Sequence, residues 1–438
     1  MKVKDRLRRL TGERIETPGS PPDKEVITEL RKKIQAILER SPVGSTPKDA
    51  RYTGGSVRLE QVITGEEVRT PQGMFFFSRT VFTDTTYHGI MRIGDFPRIG
   101  MDSLGILAKN PVISLHEPCH ALFLDTETTG LSGGTGTFPF LVGLGWFEGD
   151  HFITCQLFAR DFSEEKALLS FLQELSSDKK FLVTFNGKAY DLPLLASRYI
   201  LNRLEDPFLG KEHLDLLHPC RRLLGHRLEN TRLATLESSI LGLNRRGDIP
   251  GFEIPQRYFD WLRRRDGRLM EDVFEHNRID VISMAAITKH LSDLLDGSLA
   301  TQSVPGVDLF CVARLHLERG NTDASRSLLE GLLCSPDTGV AKQARETLSL
   351  LHKKAGRWNE AVVIWEKMLE DDVLDIFASV ELAKWCEHRV SDYDRAIQLV
   401  SRVLEQHPFL SEELQWSLEY RLRRLLRRTL RKHPTEGS

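Results

Sequence analysis

The sequence predicts an α/β domain with a mixed sheet flanked by helices, preceded by a small β-rich region and followed by an all-α helical-repeat domain. Three observations predict this order. Glycines punctuate short β-rich runs in residues 51–115, and strand and helix patterns alternate over residues 116–297. A helix–turn–helix pattern then recurs in residues 305–438. Each of these sequence patterns is typical of one of the three architectures.

Composition and charge exclude several classes of protein. The 438 residues carry 60 basic and 62 acidic side chains, a formal net charge of −2, which excludes a uniformly basic nucleic-acid-binding coat. The apolar stretches fall short of the roughly 20 residues that a membrane span needs, and the charged N-terminus lacks the apolar run of a secretory signal. The six cysteines are scattered without zinc-ligand spacing. We therefore expect a cytoplasmic protein with reduced thiols and no membrane partner.

The first two segments are a charged stretch and a β-rich stretch. Residues 1–50 predict a charged helical N-terminal segment, interrupted by turns rich in proline and glycine. In the region that follows, runs such as residues 74–82 predict a small antiparallel sheet. We interpret the three phenylalanines at 75–77 as core residues rather than as a platform for stacking bases.

The α/β domain begins with an apolar strand at residues 121–124. Residues 139–147 and 152–158 predict two further strands joined by a tight turn, and therefore antiparallel. Ser163 opens a helix with one apolar face, and residues 181–185 form a buried type of strand. Three strands, a helix and another strand predict a mixed sheet with helices packed against it.

The C-terminal region repeats itself. Ala324, Ala361 and Ala396 each follow turn residues and stand 37 and 35 residues apart, with an apolar helix on either side. The period is close to the roughly 34 residues of tetratricopeptide units, which bind proteins on a concave surface. We predict tetratricopeptide-like repeats with a basic C-terminal helix, which either present a surface to a protein partner or brace the α/β domain.

Two carboxylates at the end of the first strand are candidates for chemistry. Asp125 and Glu127 are two residues apart, so they project to the same face of the strand. Like charges side by side are costly unless a cation neutralises them, and hard oxygen ligands favour Mg²⁺ or Mn²⁺. The alternative is an exposed acidic strand end. The buried strand before the pair, and the Thr-Thr-Gly-Leu after it, favour a metal site.

Further acidic residues occur at places that suit a metal site. Asp191 lies just before Pro193 at a predicted helix start, where a carboxylate serves either as a ligand or as the helix cap. His276 and Asp280 share one face of a predicted helix, an arrangement also common on solvated helices. Asp215 either supports the ligands or caps a helix.

The segments LDTETTGL, FNGKAYDLPLL and HNRIDVISM, in this order, resemble the motifs of the DEDD 3′–5′ exonuclease superfamily, whose domain has a ribonuclease-H-like fold. More specifically, residues 118–293 and the β-rich segment before them resemble the bacterial YprB-like ribonuclease-H-like proteins. The resemblance implies two Mg²⁺ or Mn²⁺ ions and the removal of nucleotides from the 3′ end of DNA or RNA. It also implies four metal ligands and a general base, carried over onto Asp125, Glu127, Asp191, Asp280 and His276.

The sequence departs from the superfamily in one respect. Histidine-type members usually place the histidine five residues before the last aspartate, and tyrosine-type members place the tyrosine four residues before it. His276 stands at the tyrosine-type spacing from Asp280. An imidazole suits a general base because its ordinary pKa lies near the working pH. The resemblance further implies that Thr128 and Asn186, beside the first and third ligand positions, face the substrate.

An arginine-rich stretch separates two of the motifs. Residues 221–268 contain 11 arginines against six acidic residues. This excess either neutralises a phosphate backbone near the metals or forms solvated helix faces.

Two function classes follow. The first is a metal-dependent 3′–5′ exonuclease that acts on single-stranded or frayed nucleic acid by two-metal phosphodiester hydrolysis. The second is a non-catalytic nucleic-acid-binding scaffold whose helical repeats recruit a protein partner. Four converging acids favour the enzyme, because their mutual repulsion lowers stability when no metal is bound.

Overall fold

The structure is a computed structural model. The predicted N-terminal segment at residues 1–50 lies outside the described residues, as does Arg246 of the arginine-rich stretch. The structure describes residues 55–130, 136–245, 247–299, 304–407 and 409–432.

The described chain forms two compact units. The first contains the chain up to Leu217 together with Arg232–His290, and the second contains His218–Thr231 together with the chain from Leu291 onward. The described part of the β-rich region thus belongs to the first unit. The domain bounds given above stay a prediction.

The strands are β1 (Glu66–Thr70), β2 (Gly73–Phe82), β3 (Tyr87–His88), β4 (Met91–Arg92), β5 (Ala121–Thr128), β6 (Pro139–Glu148), β7 (His151–Phe158), β8 (Phe181–Thr184) and β9 (Glu212–Asp215). A seven-stranded mixed sheet forms the centre of the first unit, in the order β1-β2-β7-β6-β5-β8-β9. Strands β5, β8 and β9 run parallel, and the other pairings are antiparallel. The mixed α/β sheet predicted from the sequence is therefore confirmed. β3 and β4 pair with each other, apart from the main sheet.

Helices pack on this sheet. Tyr258 illustrates the packing, because its ring stacks on Phe140 at a centroid distance of 4.1 Å and its hydroxyl donates to the Ala159 carbonyl. The predicted helix start at Ser163 differs slightly, since Asp161 caps a short 3₁₀ turn that precedes the helix. The helices up to the linker are α1 (Met101–Ala108), α2 (Glu165–Leu175), α3 (Asp191–Asn202), α4 (Leu217–Leu223), α5 (Leu233–Ile240), α6 (Ile254–Arg264) and α7 (Arg268–Asp296).

The two longest strands of the β-rich region, β1 and β2, do not form a sheet of their own; within the described part of this region only the short β3 and β4 pair separately. β2 pairs with β7 over most of its length, with Ser78 opposite Gln156, so β1 and β2 extend the main sheet. Phe75 and Phe76 are fully buried, which confirms that they are core residues. An unpaired edge on β7 would expose a row of backbone donors and acceptors, and β2 satisfies them.

The described second unit is helical. Its successive helices form hairpins whose turns contain a residue in the left-handed region: Gly320 (φ +82°), Gly356 (φ +75°) and Ser391 (φ +57°). Ala361 and Ala396 are fully buried where helices cross, whereas Ala324 is exposed. The all-α region is confirmed, and its tetratricopeptide-like character stays a prediction. Its helices after the linker are α8 (Gly306–Glu318), α9 (Thr322–Leu332), α10 (Thr338–Lys354), α11 (Trp358–Asp371), α12 (Ile376–Trp385), α13 (Tyr393–Gln406) and α14 (Glu412–Lys432).

No helix in the described part of the chain combines the length and the apolar character needed to cross a bilayer.

Candidate active site

Asp125 and Glu127 lie within β5 rather than after it. The strand continues to Thr128, past a register shift against β6 that begins at Glu127. The residues before Asp125 are buried, whereas the two carboxylates are half-buried. Strand alternation places both acids on one side of β5. β5 thus runs out of the core, and its two acids lie at its more accessible C-terminal end.

Asp191 reaches the same strand end from the neighbouring helix. It is the first residue of α3 and is 8% exposed, and its Oδ1 accepts a hydrogen bond of 2.5 Å from the Thr126 hydroxyl. Tyr190 occupies the N-cap position, and α3 has no side-chain cap hydrogen bond there. Burial raises the pKa of Asp191 to about 6 against the effect of this hydrogen bond. The helix-capping alternative for Asp191 is therefore not what the structure shows.

Asp215 holds the loop that leads into Asp191. Its carboxylate accepts hydrogen bonds from the backbone N–H groups of Asn186 (2.8 Å) and Lys188 (3.1 Å), and also from Leu217 at the start of α4. Asn186 adopts a left-handed backbone with φ +67°. Asp215 is thus both the helix cap and the support predicted as alternatives, and it acts on the backbone of the ligand loop.

His213 supports the same loop through Thr184. The His213 Nε2 atom lies 2.8 Å from the Thr184 hydroxyl oxygen, which accepts from the Gly187 N–H. Burial, together with the positive charge of Lys188, lowers the pKa of His213 to about 4. The ring is therefore neutral at pH 7.

This pKa predicts an acid sensitivity of the fold. Because the folded-state pKa of His213 lies below the unfolded value of about 6.5, its stabilisation is complete above that value and is lost as pH falls toward 4. We expect His213 to contribute a loss of about 1–2 kcal/mol in the free energy of unfolding between pH 7 and pH 5. Urea denaturation at the two pH values measures it. His213→Gln cannot titrate, so its free energy of unfolding should fall less between pH 7 and pH 5 than that of the wild type. An unchanged pH dependence in that variant would contradict the prediction.

His276 and Asp280 face the strand end from α7. His276 Nε2 lies 3.7 Å from Asp280 Oδ2, so the two share one face of the helix, as their spacing predicts. His276 Nδ1 lies 2.8 Å from Asp248 Oδ1. Burial lowers the pKa of His276, but the hydrogen bond with Asp248 and the negative charges of Asp280 and Glu127 outweigh it and raise the pKa to about 9. With the acids unneutralised, this imidazole is protonated at pH 7, above the ordinary range that the sequence analysis assumes.

Asn277 connects α7 to β5. It is fully buried, its Nδ2 donates to Asp125 Oδ2 at 2.9 Å, and its Oδ1 accepts from Gln156 Nε2 at 3.0 Å. Gly143 makes room for it, since a Cβ there would lie 2.2 Å from the Asn277 Oδ1. Asn277 was not among the site residues that the sequence motifs predict. A glycine within an apolar strand was the available signal, because such a glycine often marks the close approach of another group.

We expect Asn277→Ala to weaken Mn²⁺ binding by about 10–100-fold, because groups that orient metal ligands have effects of that size. The variant removes the amide donor to Asp125 and leaves Gln156 without that acceptor. Calorimetric titration of Mn²⁺ into the full chain measures the affinity. Glu275→Ala on the same helix is the matched control, since Glu275 pairs with Arg278 at the surface. Equal affinities in the two variants would show that Asn277 does not position Asp125.

The four carboxylates act on one another electrostatically. Burial, followed by the charges of Asp280, Glu127 and Asp191, raises the pKa of Asp125 well above its ordinary value. Burial also raises the pKa of Glu127 to about 8, although the charge of His276 opposes this. The pKa of Asp280 is likewise raised by burial. The raised pKa values show that the nearby positive groups, Arg245 and His276, do not fully offset burial and the mutual repulsion of the acids. Hard oxygen donors of this kind fit Mg²⁺ or Mn²⁺.

Three of the four acids form hydrogen bonds or ion pairs with other side chains in the structure. Asp125 pairs with Asn277 and Asp191 with Thr126, and Asp280 forms an ion pair with Arg245. Within the described ranges, no group of three or more His, Cys, Asp or Glu side chains is arranged as a formed metal site. The donor chemistry fits a divalent cation, and the side chains would have to exchange these partners to bind it.

Thr128 and Asn186 are engaged with their own surroundings. The Thr128 hydroxyl donates to the Gly130 carbonyl at 2.7 Å, and the Asn186 N–H donates to Asp215. Both residues are half-buried. Their contact with a substrate stays a prediction.

Comparisons with known proteins find a superfamily model and similar proteins, each of which matches part of this chain. A family model of the RNase H superfamily matches residues 122–292. The Bacillus subtilis (strain 168) protein YprB is 35% identical over 311 residues, which cover 70% of this chain and 74% of YprB. Among solved structures, the family B DNA polymerase from the hyperthermophilic archaeon Pyrobaculum calidifontis aligns with a TM-score of 0.32 and 14% identity. That alignment covers 45% of this chain and 29% of the polymerase chain.

Proposed function

This chain belongs to the YprB family and carries a domain of the RNase H superfamily, and from this premise we propose that it is a metal-dependent 3′–5′ exonuclease. Its substrate is single-stranded or frayed nucleic acid, and its reaction is the hydrolysis of the terminal phosphodiester bond. The nuclease-like domain supports the substrate class, because a fold of this superfamily implies a nucleic acid.

One observation carries the proposal: four carboxylates from three separate elements converge at the end of β5. Asp125 and Glu127 come from β5, Asp191 from α3 and Asp280 from α7. The pKa of Asp125 is raised by the negative charges of the other three, after burial. A chain that only bound nucleic acid would have no physical need for four acids that repel one another and the phosphate backbone.

These four residues would hold two Mg²⁺ or Mn²⁺ ions. Such ions, when bound, supply an acidified water and charge stabilisation for the leaving oxygen. His276 accepts a proton from the attacking water at Nε2, because Nδ1 is engaged by Asp248. The charges of Glu127 and Asp280 help to raise the pKa of His276. Neutralising them brings this pKa down toward the range in which imidazole is an effective base.

The test is a cleavage assay with wild-type protein. We expect 5′-labelled single-stranded DNA or RNA to shorten progressively from the 3′ end in Mn²⁺ or Mg²⁺ and to stay intact in EDTA. Frayed duplexes should be shortened faster than blunt ones. Circular single strands, which have no end, are the matched control. Cleavage of the circles would support an endonuclease, and intact linear substrates in both metals would contradict a nuclease.

A second candidate function is a nucleic-acid-binding scaffold that does not cleave. The observation that favours it is the engagement of Asp280 by Arg245, without a formed metal site among the residues that the structure describes. In this case the helical repeats recruit a protein partner. The same assay separates the two candidates, because a scaffold retains labelled strands in EDTA and never shortens them.

A further inference from the structure

We propose that Arg245 is a positioning residue that maintains the carboxylate centre in its metal-free form by holding Asp280, and that it releases Asp280 when a divalent cation binds. This inference rests on the proposed function, because it concerns the same four carboxylates. The Arg245 guanidinium would compete with the metal ion for the Asp280 carboxylate.

The contacts of Arg245 show that its guanidinium is built into the site. Its side chain is 8% exposed, and it lies between α5 and α6. Nε donates to Glu237 Oε2 at 2.7 Å, and Nη1 lies 3.2 Å from Asp248 Oδ2. Nη2 donates both to Glu237 and to Asp280. One cation thus bridges three carboxylates from three different segments.

The charge of Arg245 is permanent. A guanidinium does not lose its proton in proteins, so it neutralises acids at any pH where the fold exists. Glu237 is 1% exposed, and a buried carboxylate of this kind is costly without a cationic partner. The charge of Arg245 also opposes the raised pKa of Asp280. Arg245 therefore acts as a counter-ion for the acidic cluster before any metal arrives.

The same contacts indicate how Asp280 is released. A metal ion and the Arg245 guanidinium would compete for the Asp280 carboxylate, since both are cations that bind its oxygens. If the ion pair between Arg245 and Asp280 breaks, the guanidinium still contacts Glu237 and Asp248. Its charge stays paired, so the free-energy cost of breaking that one ion pair is small. Asp248 also holds His276, so the guanidinium stays beside the proposed base. Exchange of one partner on Asp280 is thus sufficient to free the fourth ligand.

The experiment compares wild-type protein with Arg245→Gln by calorimetric titration with Mn²⁺ and by thermal unfolding in EDTA and in Mn²⁺. We expect Arg245→Gln to bind Mn²⁺ at least about tenfold more tightly, because the competing cation is gone. Its unfolding temperature should fall in EDTA, where Glu237 loses its partner. Saturating Mn²⁺ should restore more of the unfolding temperature in the variant than it adds to the wild type.

Arg263→Gln is the matched control. It removes one positive charge from the same arginine-rich stretch, at a surface pair with Asp260, and should leave Mn²⁺ affinity close to that of the wild type. Arg245→Lys keeps the charge but lacks the fork that reaches three carboxylates, so its Mn²⁺ affinity should lie between wild type and Arg245→Gln. This second variant tests the inference if Arg245→Gln does not fold.

The outcomes separate the inference from the proposed function. If wild-type protein binds Mn²⁺ and Arg245→Gln binds it equally or more weakly, Arg245 has a structural role and the inference is wrong. If neither the wild type nor the variants bind Mn²⁺ or Mg²⁺, the metal-dependent function fails, and the inference fails with it.

Discussion

Asp125→Asn and Asp191→Asn are each expected to abolish metal-dependent shortening of the 3′ end, a loss of at least about 10³-fold in rate. An amide carries no charge and ligates a hard cation weakly, so each variant loses several kcal/mol of stabilisation for the charge that develops on the phosphate. Single-turnover cleavage of 5′-labelled strands in Mn²⁺ measures the loss. Both substitutions keep the size of the side chain.

The stability of the Asp125→Asn variant distinguishes loss of chemistry from loss of fold. Asp125 is a half-buried acid whose pKa is raised by desolvation and by its acidic neighbours, so a neutral side chain removes repulsion. The Asn277 amide would still find an oxygen acceptor at position 125. We therefore expect thermal unfolding in EDTA at or above the wild-type temperature. Asp161→Asn, at a helix cap of the same unit, is the control, and equal cleavage by wild type and Asp125→Asn would refute the site.

His276→Ala is expected to lower turnover by about 10²–10⁴-fold while leaving Mn²⁺ affinity nearly unchanged. The imidazole is proposed to remove a proton and not to bind metal, so its loss should affect kcat and leave ligand affinity alone. The wild-type rate should rise with pH as His276 loses its proton, and the variant should lack that rise. Steady-state rates and Mn²⁺ titrations on the same preparations measure both effects.

Two further variants sharpen the His276 prediction. His276→Tyr introduces the residue that tyrosine-type relatives carry at this spacing, and it should recover part of the activity. Asp248→Asn removes the carboxylate that holds Nδ1, and it should slow turnover less than His276→Ala does. Full activity in His276→Ala would identify a surface histidine, and loss of Mn²⁺ binding would identify a ligand.

Local patterns account for what could be predicted of the candidate site. Alternation along β5 places Asp125 and Glu127 on the same side, and the helical repeat brings His276 to 3.7 Å from Asp280. Such periodicities depend only on the geometry of a strand or a helix, so they can be derived from the order of residues. The resemblance then connected these pairs with Asp191, which no periodicity links to them.

The contacts between distant segments could not be derived in this way. Asn277 and Asp125 are separated by 152 residues, and Arg245 and Asp280 by 35. The arginine-rich stretch predicts that Arg245 is solvated or binds phosphate, whereas the structure buries it among carboxylates. Buried carboxylates are costly without a cationic partner, so a guanidinium beside them is stabilising. Which arginine lies beside them depends on the packing of distant segments in the folded chain.

By itself, the sequence determined the class of the fold, several of its strands and helices, and the acids on which the function is proposed to depend. Apolar runs, turn residues and spacing are local properties, and they act before any long-range contact forms. Only the tertiary structure decided that β1 and β2 extend the main sheet, that Asn277 bridges α7 to β5, and that Arg245 holds Asp280. These contacts form because the edge of β7 has unpaired backbone groups and because the buried carboxylates lack a counter-ion. Both conditions exist only in the packed molecule.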